Sequence, residues 1–256
     1  MPELLIERPA DAVALVRLNR PEQLNALNNA LRGQIADAFE DLARDEGVRV
    51  IVVTGNEKAF AAGADLKEMA GLRTVDHLLS QRGRLWRAIA ACPKPIIAAV
   101  NGYAFGGGCE LALNADIIIA GESAQFGQPE IRVGIMPGAG GTQRLTRAVG
   151  KYRAMKMVLT GKPVNAREAL EMGMLSEVVA DDEVLDTALK MADTIARMPP
   201  LAVKEIKEVL NAGLDASLET GLLLERKSFQ LLFDTEDQKE GMRAFAEKRR
   251  PVYQGK

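Results

Sequence analysis

Pro95-Ile96-Ile97-Ala98-Ala99-Val100-Asn101-Gly102-Tyr103-Ala104-Phe105-Gly106-Gly107-Gly108-Cys109-Glu110-Leu111-Ala112-Leu113 changes character twice in one short run. Pro95 to Val100 is a brief, unbroken apolar stretch of the kind that forms a strand buried on both faces. Asn101-Gly102 marks a turn, and Gly106 to Leu113 reads as the opening of a helix. The same strand signal recurs at Val13 to Leu18, Val48 to Thr54 and Asp116 to Ala120. Between the first two, Leu31, Ile35, Phe39 and Leu42 repeat at intervals of three and four behind Asn28 or Asn29, either of which suits a helix N-cap. Strands alternating with helices predict an α/β core.

From about Thr187 the pattern is helical only. Ala188 to Met198, Leu201 to Leu210, Ser217 to Leu232 and Glu236 to Lys248 carry helical periods, punctuated by Pro199-Pro200 and by residues 211–213. The expected division is a core over residues 1–196 and a C-terminal helical region over 197–256. Leu222, Leu223, Leu224, Phe229, Leu231, Leu232 and Phe233 crowd together there, enough apolar surface to cover a core or to meet another subunit.

The chain has 256 residues, 47% of them hydrophobic, and a formal charge of −2, so it can bury a sizeable core and has no bulk attraction for nucleic acid or anionic lipid. Cys92 and Cys109 are its only cysteines, far apart and outside any CxxC pattern, which excludes a disulfide framework and a structural zinc site. Residues 1–20 lack the apolar core of a secretory signal, and no apolar run is long enough to cross a bilayer. The expectation is a cytoplasmic protein without a membrane partner.

Three glycine-rich turns carry the chemistry: Ala61-Ala62-Gly63-Ala64-Asp65, Gly106-Gly107-Gly108-Cys109-Glu110, and Phe126-Gly127-Gln128-Pro129-Glu130, the last followed by Gly134-Ile135-Met136-Pro137-Gly138-Ala139-Gly140-Gly141. Small residues leave backbone N–H groups open to a ligand, and two carboxylates beside such donors can move protons next to a carbonyl. The bland alternative is that the glycines only let a helix pack close to a strand, with Glu110 a solvated first-turn acid. A dinucleotide fingerprint fails in register, because G-x-G-x-x-G starting at Gly106 requires glycine where Leu111 stands. A phosphate-binding P-loop and a GxSxG elbow are also missing from the sequence. His77, the sole histidine, reads as a surface residue.

Residues 59–69, 101–111 and 126–144, which contain these turns, resemble the enoyl-CoA hydratase/isomerase (crotonase) family, and the similarity extends over nearly the whole chain. The resemblance implies a crotonase-type spiral of β-β-α turns with a C-terminal α-helical region that makes trimer contacts, two trimers forming a homo-hexamer. It implies an acyl-CoA thioester substrate, coenzyme A being part of that substrate, with no metal and no separate cofactor. Mapped residue by residue, it implies that the amides of Ala64 and Gly107 form an oxyanion hole and that Glu110 and Glu130 are the catalytic acids. Ala62, Asp65 and Leu66 then lie along the coenzyme, and the Gly138 amide helps to hold the reacting water. Glu110 favours hydration over the double-bond isomerisation that some relatives perform.

A Δ3-Δ2 enoyl-CoA isomerase is the nearest alternative. An RNA-binding role, from another class, is opposed by the balanced charge and by an aromatic content of only 4%. Residues 70–91 are expected to select the acyl chain. Trp86 reads more readily as core than as pocket lining, and Arg73, Arg82, Arg84 and Arg87 are the cations there that a distal carboxylate could meet. The basic run Lys248-Arg249-Arg250 could meet coenzyme phosphates.

Overall fold

Residues 2–80 and 83–256 are described in the structure, a computed structural model, with only the backbone described at 78 and 79. Arg82, named above, lies outside the described residues. Chain-order elements are β1 (Leu4–Ala10), β2 (Val13–Leu18), α1 (Asn29–Arg44), β3 (Val50–Thr54), β4 (Ala59–Ala61), α2 (Leu66–Met69), α3 (Thr74–Leu79) and α4 (Arg84–Ala90). They continue with β5 (Ile96–Val100), β6 (Tyr103–Phe105), α5 (Gly107–Ala112), β7 (Ile117–Gly121), β8 (Gln125–Gly127), α6 (Gly141–Val149), α7 (Lys151–Thr160), β9 (Val164–Asn165), α8 (Ala166–Glu171), β10 (Glu177–Val179) and α9 (Val184–Ala196). The last three helices are α10 (Pro200–Gly213), α11 (Leu218–Leu232) and α12 (Glu236–Ala246).

The strands form two sheets, ordered β1-β2-β3-β5-β7-β10 and β4-β6-β8-β9. In the middle of the chain each turn of the spiral gives one strand to the large sheet and the next to the small one, as β3 and β4, β5 and β6, and β7 and β8 do, before a helix closes the turn. All large-sheet pairings are parallel except the β1–β2 hairpin. A parallel sheet needs cover on both faces, and alternation along the strands provides it. Val16, Ile51, Val53, Ala98 and Val100 face a core shared with Leu31, Ile35 and Phe39 of α1. Val13, Leu15, Val50, Val52, Ile97 and Ala99 face Val184, Ala188, Ala192 and Ala196, a stripe of mostly small residues that seats α9 on the sheet.

Helix α1 starts where its cap predicts: Asn28 Oδ1 accepts the Leu31 amide at 2.7 Å. The segment over residues 70–91, expected to select the acyl chain, carries two short helices, α3 and α4. The three-residue strands of the small sheet, and β1, carried no sequence signal strong enough to be expected. Such short strands hold their form through cross-strand bonds and not through local propensity.

The C-terminal helices differ from the core. Among the described residues, the side chains buried in α10–α12 are Ser228, Asp237 and Ala244, whereas β3 and β5 are buried throughout. The end of the chain folds back on α12, where Asp237 accepts the Gln254 and Gly255 amides at 2.7 and 2.8 Å. No helix among the described residues is long and apolar enough to cross a membrane.

Candidate active site

The sequence order β4, turn, α2 and β6, turn, α5 brings two of the three glycine turns side by side, because β4 and β6 are parallel neighbours. Close contact is enforced at Gly108. A methyl group there would stand 1.9 Å from the Ala61 carbonyl oxygen, so only glycine lets α5 begin against β4. Gly106 has φ 48° and ψ −121°, a conformation that essentially only glycine adopts. A side chain there would also press on Glu130, whose Oε1 lies 3.0 Å from the position of the missing methyl.

This packing brings the amides of Ala64 and Gly107 together. A methyl on Gly107 would be 3.7 Å from the Ala64 nitrogen, and one on Gly63 would be 4.0 Å from the Gly107 nitrogen. Neither amide donates to a protein acceptor among the described residues, and both residues line the same cavity of about 680 Å³. Two adjacent, uncommitted N–H groups facing a cavity are suited to an oxygen that gains negative charge.

Glu110 stands one turn inside α5 and is only 3% exposed. Its Oε1 accepts the amides of Ala139 and Gly141 at 2.7 and 2.8 Å, so the loop before α6 closes over the carboxylate. Burial raises its pKa, against these two amides and the charge of Arg32, which favour the anion. Glu130 occupies the first turn of a short 3₁₀ helix, Pro129–Val133, that follows β8. Burial, opposed by its own backbone amide and reinforced by the charge of Glu110, pushes its carboxyl up to about 7. The carboxamide of Gln128, fully buried, faces Glu130, and the acceptors around it assign its nitrogen to that side, 3.0 and 3.2 Å from the two carboxyl oxygens. A donor at this place favours the ionised form.

Glu110, Glu130, Ala64, Gly107, Ala62, Leu66 and Gly138 all line the cavity. Asp65 does not. Its carboxylate caps α2 through the Lys67 amide at 3.2 Å and faces Arg20 at 3.4 Å. Trp86 and His77, read from sequence as core and surface, both reach the cavity, although His77 remains exposed and Trp86 also packs on the core. Each lies on a short helix whose orientation the sequence does not specify.

The cations that line this space were not those the sequence nominated. Arg84 is held by Asp37 and Glu40, each at 2.7 Å, and Arg73 pairs with Asp76 at 3.7 Å on the surface; neither they nor Arg87 line the cavity, whereas Arg32 and Arg132 do. Arg249, in the basic C-terminal run, is tied to Glu240 and Glu247 at 2.6 Å each. The sequence also gave no warning of the part played by Gln128, or of the Leu24–Leu27 segment that flanks the first turn. Both act through buried contacts between residues distant in the chain.

A family model described as enoyl-CoA hydratase/isomerase matches residues 8–256. The chain is 49% identical over 256 residues, all of both proteins, to a 2,3-dehydroadipyl-CoA hydratase of Escherichia coli (strain K12). It is 51% identical over 244 residues, 95% of this chain and 88% of the relative, to a probable mitochondrial enoyl-CoA hydratase of Dictyostelium discoideum. Among solved structures, an enoyl-CoA hydratase from Bacillus anthracis superposes with a TM-score of 0.95 at 39% identity, covering 100% of both chains.

Proposed function

Because this chain belongs to the enoyl-CoA hydratase/isomerase family and is an enzyme with enoyl-CoA hydratase activity, we infer that its cavity binds a trans-2-enoyl-CoA with the thioester oxygen on the Ala64 and Gly107 amides and the alkene between Glu110 and Glu130. The single observation that carries this reading is the convergence of two raised carboxyls and two uncommitted amides on one cavity.

Water adds at C3 while C2 gains a proton, and the barrier lies in enolate-like charge that collects on the thioester oxygen. Two fixed N–H donors meet that charge without reorganising, and loss of one such donor costs about 3 kcal/mol in comparable sites. Glu110, with one oxygen anchored by two amides, orients and deprotonates the water through its other oxygen. Glu130, whose carboxyl holds its proton to about pH 7, delivers a proton to C2. In the reverse reaction the roles exchange. The addition is redox-neutral, so this reading needs no redox group, and the carboxyls and amides cover the proton and charge transfers without a metal.

The apolar lining of Met69, Trp86, Val133, Ile135 and Met136 suits an acyl chain, and a distal carboxylate would meet Arg32 or Arg132. Steady-state kinetics with crotonyl-CoA, longer enoyl-CoAs and 2,3-dehydroadipyl-CoA test the substrate class. Hydration is read as loss of the conjugated thioester absorbance; gain of that absorbance from a 3-enoyl-CoA, without hydration of the 2-enoyl-CoA, would instead favour an isomerase.

The exposed apolar side chains of α10–α12, among them Leu218 at 78% and Phe245 at 85% exposure, support assembly into trimers paired as hexamers. Light scattering measures the mass, and a monomer would reject this assembly.

A further inference from the structure

Ala64 is aimed by a segment that never reaches the cavity. Leu24 and Asn25 are consecutive left-handed residues, with φ 49° and 57°, a pairing that costs energy for residues with a β-carbon and persists only where surroundings enforce it. Asn25 is fully buried. Its Oδ1 accepts the Arg20 amide at 2.8 Å and its Nδ2 donates to the Ala59 carbonyl at 2.9 Å, so the side chain ties its own segment to β4, the strand that leads into the Ala64 turn.

The backbone that Asn25 fixes brackets Ala64 on both sides. The Ala62 amide donates to the Leu24 carbonyl at 2.9 Å, the Leu27 amide to the Gly63 carbonyl at 2.7 Å, and the Asp65 amide to the Leu27 carbonyl at 3.4 Å. Leu27 also reaches the second donor, because its Cδ1 lies 3.4 Å from where a methyl of Gly107 would stand. The Ala62 and Asp65 amides and the Gly63 carbonyl are thus consumed by this segment, and the Ala64 amide between them makes no bond to it.

We propose that Asn25 is a positioning residue for the oxyanion pair, acting through Leu24 and Leu27 to fix the direction of the Ala64 amide. The proposal rests on the reading of Ala64 and Gly107 given above. Asparagine suits the position because it tolerates the left-handed conformation and supplies both an acceptor for Arg20 and a donor for Ala59. Aspartate would keep the acceptor but turn an oxygen toward the Ala59 carbonyl. Glycine would keep the backbone conformation and lose both bonds.

The test compares wild type, Asn25→Gly, Asn25→Asp and Glu110→Gln by kinetics with crotonyl-CoA and by isotope-edited infrared spectroscopy of bound, unreactive butyryl-CoA labelled with ¹³C at the thioester carbonyl. Hydrogen bonds from the two amides lower that carbonyl stretch. The Asn25 variants are expected to lose kcat by about ten- to a hundredfold, as a small misplacement of a catalytic group does, with KM changed by less than about threefold and most of the carbonyl shift gone. Glu110→Gln should lose turnover and retain the shift, which separates failure of proton transfer from failure of carbonyl polarisation. Folded Asn25 variants with the full shift, whatever their kcat, would overturn the proposal. A wild-type enzyme that hydrates crotonyl-CoA without lowering the stretch would remove the oxyanion pair itself, and the proposal with it.

Discussion

Glu110 and Glu130 face one cavity from neighbourhoods built on different plans. Glu110 projects from α5, and one of its oxygens is fixed by two amides of a distant loop, Ala139 and Gly141. Glu130 sits in a 3₁₀ turn, half-buried, with a carboxamide from Gln128 and the space left by Gly106 beside it. Backbone donors stabilise a carboxylate and hold it still, whereas burial with fewer donors keeps a carboxyl protonated to higher pH. On the proposed mechanism, two identical side chains are thereby prepared for opposite halves of one reaction.

The largest expected effect comes from making either group unable to exchange a proton. Glu110→Gln and Glu130→Gln should each lower kcat by at least about a hundredfold, and near-normal turnover in either would dismantle the assignment. The comparison also predicts unequal structural costs. Glu110→Ala leaves the buried Gly141 amide and the part-buried Ala139 amide without their acceptor, at about 1–3 kcal/mol for a buried unsatisfied group, so its chemical denaturation midpoint should fall further than that of Glu130→Ala.

A second set of measurements concerns pH. The proposed hydration requires Glu130 protonated and Glu110 ionised, so kcat/KM should fall as pH rises through about 7. Gln128→Leu removes a donor that favours the ionised carboxyl, and should move this alkaline limb upward; a downward move would contradict the role given to Gln128. Stability has the matching sign. The folded protein holds the Glu130 proton above the ordinary 4.5 and up to about 7, so this group's favourable contribution is complete at low pH and is lost as pH rises through that window. Glu130→Gln cannot ionise, and its Tm relative to wild type should therefore increase between about pH 5 and pH 8.

The smallest effect belongs outside the site. Asn28→Ala removes the cap of α1, whose bond to Leu31 is 2.7 Å long, and should cost about 1 kcal/mol, lowering Tm by about 2–4 °C for a chain of this size. Turnover should be unchanged. A loss of activity without loss of stability would show that α1 supports the candidate site more directly than its packing indicates.

Periodicity makes much of the fold legible in the sequence. The central strands and α1 announce themselves because their apolar residues repeat at the intervals that burial demands, and Asn28 marks a boundary through its own side-chain chemistry. The small sheet is different: Ala59–Ala61, Tyr103–Phe105 and Gln125–Gly127 are too short to carry a period and exist because each finds a neighbour. The three glycine turns and the two glutamates were visible as chemistry, and their resemblance to one family supplied roles for them. The separate settings of the two acids were not visible in that way.

What the sequence determined alone was local: which segments can be strand or helix, where glycine permits a turn, and which side chains can carry a proton. Tertiary structure decided which of these meet. It sent Asp65 to cap a helix and to face Arg20, brought Trp86 and His77 to the cavity, closed the 139–141 loop on Glu110, and tied Asn25 to the strand that leads to Ala64. The physical reason is that propensity and hydrophobic period act over a few residues, whereas desolvation and the direction of a hydrogen bond depend on groups that only the completed packing brings together.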